Sequence, residues 1–272
     1  MVSNATIICV VISLLISVGL PLAVLAVYAG QNRKQSILSA WLLGAAGFFV
    51  TQILVRVPIL TALQTNSAFI RFSQEHAFVY VFSLAFTAGL FELAGRFAVA
   101  KLLVRKGLNF KRSLAAGLGH GGIEAIVLIG SAMVSNLAMI AMLNTGSFDA
   151  MVAETAAMGA DVSQLEMIKQ QLVTYSPAMF LLSGFERILT MTAHAAMSML
   201  VCYGVAFKKG LPCTLLCLLI HTFIDLSAGL TLVLPQAVAY TVIYSILTVV
   251  AALSVLVIRR IHRSWKEVPY EK

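Results

Sequence analysis

The chain has 272 residues, 60% of them hydrophobic and 11% charged, with a mean hydropathy of +0.94. Soluble domains carry roughly 45–50% apolar and about 25% charged residues, so these values exclude a water-soluble domain and a disordered chain. The apolar runs are long and unbroken, which excludes a membrane β-barrel, and the formal charge of +8 must be read through its placement.

A helix needs about 20 apolar residues to cross the hydrocarbon core. Seven segments qualify: residues 6–28, 37–63, 77–102, 113–143, 177–207, 211–232 and 237–258. The expected fold is therefore all-α, a polytopic bundle of about seven transmembrane helices forming a single transmembrane domain over 1–272. The first segment has no basic flank before it and is longer than a signal peptide's apolar core, so it reads as a retained span.

Cytoplasmic loops collect Lys and Arg. Here 14 of the 19 basic residues fall on one side: Arg33 and Lys34, the group from Lys101 to Arg112, Lys208 and Lys209, and the C-terminal group from Arg259 to Lys272. The other side holds Arg71 and Lys169, which puts the N-terminus outside and the C-terminus in the cytoplasm. The charge is thus a topology signal in a cell-membrane protein, and no nucleic-acid partner is expected.

The long connection 144–176 is expected outside the cytoplasm as an amphipathic insertion. Ser163 and Glu166 have capping-box spacing, and Leu165, Ile168 and Leu172 form one apolar stripe. Packing over the bundle is the simplest role for it, with a lid as the alternative. The four cysteines lie in apolar stretches and read as small core residues.

An ionisable side chain deep in a span costs at least roughly 2.5–3.5 kcal/mol, which makes each one a functional candidate. Glu92, Glu124, Glu186 and Asp225 qualify, together with His120, His194 and His221. Glu92 lies 9 residues before Lys101, Glu124 lies 12 after Arg112, His194 lies 14 before Lys208 and His221 lies 12 after Lys209. At about 1.5 Å per residue, four helices present Glu, Glu, His and His in one layer. Asp225 follows His221 by one turn, and His120 precedes Glu124 by one turn.

Such a layer suits a divalent metal, with imidazole and carboxylate ligands converging from separate helices and a further carboxylate left to handle protons. Asp225 reads as a ligand or as the group that orients His221. No HExxH sequence is present, so the site must be assembled across helices. Glu92 and Arg96, four residues apart, equally fit an internal ion pair. His120 reads as a second-layer contact or as packing in a glycine-rich turn region. Glu186 and Arg187 sit at the same height as Arg56 and favour a structural network of Glu186 with Arg56 or Arg187. Gly117, Gly119, Gly121 and Gly122 have no Gly-Lys-Ser/Thr after them, and read as close helix packing.

The ordered motifs are Phe91-Glu92-Leu93-Ala94-Gly95-Arg96, Gly119-His120-Gly121-Gly122-Ile123-Glu124-Ala125, Glu186-Arg187 with His194-Ala195, and His221-Thr222-Phe223-Ile224-Asp225. In this order, over nearly the whole chain, they resemble the YhfC family of intramembrane metalloproteases, related to the CAAX-protease/bacteriocin-processing and PrsW families. The resemblance implies a membrane-embedded protease acting on a hydrophobic or membrane-embedded peptide, with zinc as the expected divalent metal. It gives Glu92 the water-activating role with Arg96 as its basic partner, makes Glu124, His194 and His221 the ligands, and matches Asp225 to the Asn/Asp after the last histidine. The sequence departs from the CAAX pattern in having Leu90-Phe91 before a single glutamate, and Glu124 in place of a histidine. Two other classes use buried carboxylates or histidines. They are a proton- or cation-coupled transporter, against which stands the lack of an inverted repeat, and a haem electron carrier, which the carboxylates fit poorly.

Overall fold

The computed structural model describes residues 1–265. Lys266 and Lys272, two of the C-terminal basic residues, lie outside the described residues. In chain order the helices are α1 (Asn4–Gln31), α2 (Ile37–Leu63), α3 (Ser67–Glu75), α4 (Ala77–Arg105) and α5 (Phe110–Thr145). They continue as α6 (Ser147–Ala157), α7 (Ser163–Thr174), α8 (Pro177–Ala206), α9 (Gly210–Leu232) and α10 (Gln236–Ser264). All except α3, α6 and α7 are long and apolar enough to cross a membrane, which gives the seven expected spans. The described residues are otherwise turns and short connections, so the fold is all-α.

Three spans contain a wide, π-helical stretch: Leu15–Gly19 in α1, Phe49–Arg56 in α2 and Ala125–Gly130 in α5. The first two immediately precede Pro21 and Pro58, which have no N–H to return to the preceding turn, so the ladder shifts there. The third has no proline behind it and begins directly after Glu124.

The chain packs as two compact units: Met1–Leu22 with Ala125–Ile188, and Ala23–Glu124 with Leu189–Lys272. The second unit is held by small residues at helix crossings. A Cβ on Gly44 would lie 1.8 Å from the Ala116 carbonyl oxygen, and one on Gly119 would lie 2.0 Å from that of Trp41, so α2 and α5 touch backbone to backbone. Gly117 and Gly121 do the same for α5 against Ala195 and Met191 of α8. Close packing is therefore what the glycine cluster provides, as its spacing suggested. His120 sits inside this helical crossing, not in a turn. At the basic end of the unit, buried Arg112 donates to the carbonyls of Lys106 and Gly107, closing the C-terminus of α4, where Gly107 takes a left-handed φ of 84°.

In the first unit, Asn144 accepts from the Val2 backbone N–H at 2.8 Å, and the Ser13 hydroxyl donates to the Phe180 carbonyl beside Gly184. The connection between α5 and α8 holds two helices, one more than the apolar stripe revealed. In α7, Leu172 is fully buried and Leu165 and Ile168 are half-buried, so the stripe does face inward. The capping box does not form. Val162 occupies the N-cap, and Asp161 accepts from both the Ser163 amide at 2.8 Å and the Ser163 hydroxyl at 3.0 Å. A carboxylate two residues earlier is the stronger acceptor and engages both the amide and the hydroxyl of the serine, so the serine does not serve as the cap.

Candidate metal and catalytic centre

Glu92, in the middle of α4, is 4% exposed, and its carboxylate is the hub of a polar centre inside the second unit. Its Oε2 lies 2.9 Å from Arg96 Nη2, 2.9 Å from His120 Nε2 and 2.9 Å from His221 Nε2. Its Oε1 accepts from Gln52 Nε2 at 2.9 Å. The four donors come from α2, α5, α9 and one turn along α4 itself. The i,i+4 spacing on α4 explains the arginine, and the glycine crossings explain how α5 brings its imidazole so close.

His194 of α8 closes the group. Arg96 Nη2 is 2.6 Å from His194 Nδ1; a guanidinium can only donate, so Nδ1 accepts and Nε2 is the ring nitrogen left to face the centre. That Nε2 lies 2.9 Å from Glu124 Oε2. The rings of His120 and His194 stack at 5.4 Å, and Phe48 meets His120 edge-on at 5.3 Å. Five helices thus converge, and the layer of Glu92, Glu124, His194 and His221 deduced from distances along the chain is assembled in space.

Asp225 stands one turn beyond His221, with its Oδ2 3.5 Å from His221 Nδ1 and its side chain 34% exposed. The approach is an ion-pair distance, and Nδ1 makes no hydrogen bond among the described residues. Arg96 Nε and Nη1 are likewise buried without hydrogen-bond partners there. Glu186 pairs with its neighbour Arg187. Of the two partners expected for Glu186, Arg187 is the one found. Arg56 donates to Leu84 O at 2.7 Å, Gln52 Oε1 at 3.3 Å and Thr87 Oγ1 at 3.4 Å.

The chemistry fits a metal ion. Glu92, His120, Glu124 and His194 each offer one ligand atom, and these atoms lie within 4.8 Å of one another. Two imidazoles and two carboxylates are the nitrogen and oxygen donors that a borderline divalent ion takes. His120, expected at the periphery, belongs to this group, whereas His221 reaches it through Glu92. Gln52 is the residue that sequence reasoning passed over. Its signal was present: a lone amide in an apolar run, one turn before Arg56 on α2.

The sequence profile of the YhfC intramembrane metalloprotease family matches residues 12–248, a range that contains every residue of this centre. The chain is also similar to the "Uncharacterized membrane protein YhfC" of Bacillus subtilis strain 168, 27% identical over 259 residues, covering 94% of this chain and 96% of that protein. No solved structure matches it. With seven helices able to span a membrane, a buried group able to hold a metal, and a profile match over most of its length, the chain belongs to the YhfC intramembrane metalloprotease family.

Proposed function

We propose that the protein hydrolyses a peptide bond in a hydrophobic or membrane-embedded peptide, with Glu92 as the proton acceptor for the attacking water. The observation that carries this reading is the Glu92 carboxylate itself: buried in a span, aligned by donors from three other helices, and set beside Glu124 and His194. Its Oε2 is crowded by three donors, but among the described residues Oε1 accepts only from Gln52 and retains capacity to accept.

His120, Glu124 and His194 are the residues that would hold the ion, and zinc suits their donor types. A divalent ion there supplies Lewis-acid polarisation of the scissile carbonyl. Glu92 takes the water proton at Oε1 and returns it to the leaving amine. Arg96 fixes Glu92 and His194 together from one guanidinium, and His221, with Asp225 behind it, holds the other carboxylate oxygen. The cluster lies in the membrane-spanning part of the chain, so the peptide must reach it from the bilayer or through an opening at one end of the bundle. The distribution of Lys and Arg supports a cell-membrane topology with the N-terminus outside, the 144–176 connection on the same side and the C-terminus in the cytoplasm.

Purified full-length protein in detergent should cleave a model transmembrane peptide, and Glu92→Gln should abolish the cleavage while leaving the elution profile and helical content unchanged. Cleavage by Glu92→Gln at the wild-type rate would refute the role given to this residue.

A further inference from the structure

Where α2, α4, α5 and α8 cross they enclose a small space, lined by Gly44, Arg96, Ala116, His120, Ser198 and Cys202 among others. All of these belong to the unit that contains Glu92. Glu92 itself is not on the wall, so the space is distinct from the place of the attacking water at Glu92 Oε1. Its volume is about 10 Å³, the least room that holds one water molecule. The glycine crossings explain why it is no larger: Gly44 and Gly117 bring the backbones of α2 and α8 against α5.

Two side chains on this wall carry hydrogen-bonding groups that find no partner among the described residues. Arg96 commits Nη2 to Glu92 Oε2 and His194 Nδ1, and its Nε and Nη1 are buried and unpartnered. Ser198 is 5% exposed, and its Oγ is buried and unpartnered as well. The serine is the more telling of the two. A hydroxyl inside a helix can turn back to a carbonyl three or four residues earlier, as Thr51 does to Gly47 at 2.8 Å, Thr87 to Ser83 at 2.7 Å and Ser113 to Asn109 at 2.9 Å in this same unit. Ser198 leaves that bond unmade and lines a cavity instead. An apolar space of this size would stay empty, whereas one with buried polar groups on its wall takes water. The guanidinium already has its countercharge in Glu92 at 2.9 Å, so the space calls for a neutral ligand and not an anion.

We propose that this cavity binds one ordered water between the Arg96 guanidinium and the Ser198 hydroxyl, and that Ser198 is through it a positioning residue for Arg96. The water accepts from an Arg96 N–H and donates to Ser198 Oγ. Ser198 stands one turn beyond His194 on α8, so α8 holds Arg96 at two points, directly at His194 Nδ1 and through water at Ser198. That fixes the plane of the guanidinium, and with it the Nη2 that touches both Glu92 and His194. The water site does not depend on what the centre cleaves; only its effect on turnover rests on the protease reading above.

The test is the structure of the full-length protein in lipid nanodiscs, at a resolution that shows ordered water. Wild type should show one water within hydrogen-bond distance of an Arg96 nitrogen and of Ser198 Oγ. A dry cavity with both side chains in place overturns the proposal, and this readout needs no variant. Ser198→Thr and Ser198→Val have the same shape and differ in the hydroxyl alone, so the pair separates hydrogen bonding from packing. The threonine variant should keep the water and the 2.6 Å contact of Arg96 with His194, and the valine variant should lose both. If either fails to accumulate, Ser198→Ala, which adds no bulk, is compared with wild type instead and should show the same displaced guanidinium. With a model transmembrane peptide, kcat of Ser198→Val should fall about 3- to 10-fold below that of Ser198→Thr at unchanged KM, less than the loss of a direct partner of a ligand brings. A guanidinium that keeps its place in Ser198→Val, or equal kcat for the two variants, overturns the positioning role. If wild type holds the water and cuts no peptide, the protease reading falls and the site stands. If it cuts the peptide with the cavity dry, the site falls and the protease stands.

Discussion

The two units of the chain use polar groups inside apolar helices in different ways. In the unit formed by Met1–Leu22 and Ala125–Ile188, polar side chains tie helices together locally. Ser13 reaches a backbone carbonyl, Asn144 takes the Val2 amide, and Glu186 pairs with the residue next to it. In the unit formed by Ala23–Glu124 and Leu189–Lys272, Gln52, Glu92, Arg96, His120, Glu124, His194 and His221 converge from five helices. Closing a packing contact needs one donor and one acceptor. The second arrangement leaves Arg96 Nε and Nη1 and His221 Nδ1 buried without partners among the described residues, which is a cost that packing alone does not explain. Convergence with capacity to spare separates a site from a scaffold here.

The sharpest way to break that contrast is at Glu92. Glu92→Gln should lower cleavage by at least about 100-fold, the scale of a lost general base, and leave the protein folded. Glu92→Ala should in addition reduce the yield of folded protein, because stranding a buried partner such as Arg96 costs about 3–5 kcal/mol. Equal yields of the two variants would mean that Arg96 is not held by Glu92. The matching change in the other unit, Glu186→Gln, should leave cleavage within about twofold of wild type, since it removes one partly exposed ion pair.

Metal content divides the histidines next. His120→Ala and His194→Ala should lose most bound metal by elemental analysis of purified protein. His221→Ala should keep it with affinity weakened by roughly 10- to 100-fold at most, the range for a residue that acts behind a ligand. Metal lost completely from His221→Ala and retained by His120→Ala would restore Glu124, His194 and His221 as the ligand set, the one that the family resemblance implies.

Much of this was legible in the sequence, for a physical reason. Lipid makes charge expensive, so Glu92, Glu124, His194 and His221 stood out individually, and counting from the basic flanks placed them at one depth because a helix rises uniformly. Depth says nothing about azimuth. That is why His120 was set at the periphery although α5 turns it onto Glu92, and why Gln52, an uncharged residue, drew no attention although it bridges Glu92 and Arg56. The helix α6 was missed because its apolar residues form no clean stripe. The capping box of α7 does not form because the Ser163 hydroxyl donates to Asp161 while the Glu166 amide goes to the Val162 carbonyl, a choice that residue spacing does not reveal.

Packing gives a smaller contrast. Gly44→Ala should destabilise the protein by about 1–3 kcal/mol or more, because the new methyl meets the Ala116 backbone and cannot be accommodated by a rotamer change. Gly130→Ala in the other unit meets only the Val18 Cγ2 atom, which can move, and should shift the midpoint of thermal unfolding far less. Similar losses from both would show that the α2–α5 crossing has no special role in holding His120 in place.

The smallest effect is expected at Asp161, far in kind from the buried centre. The Ser163 amide and hydroxyl bound to its carboxylate hold its pKa below the ordinary value of 3.8. A carboxyl group depressed on folding contributes its stabilisation above the unfolded pKa and loses it as pH falls through the folded one. The first turn of α7 should therefore be fully capped at neutral pH and loosen only below about pH 4. Protection of the Ser163 amide against hydrogen exchange, corrected for intrinsic rates, should fall in that window in the wild type. In Asp161→Asn, whose amide oxygen accepts without titrating, protection should be independent of pH. A pH-dependent loss of protection in both proteins would place its cause elsewhere in the connection, and the cap would then carry no part of it.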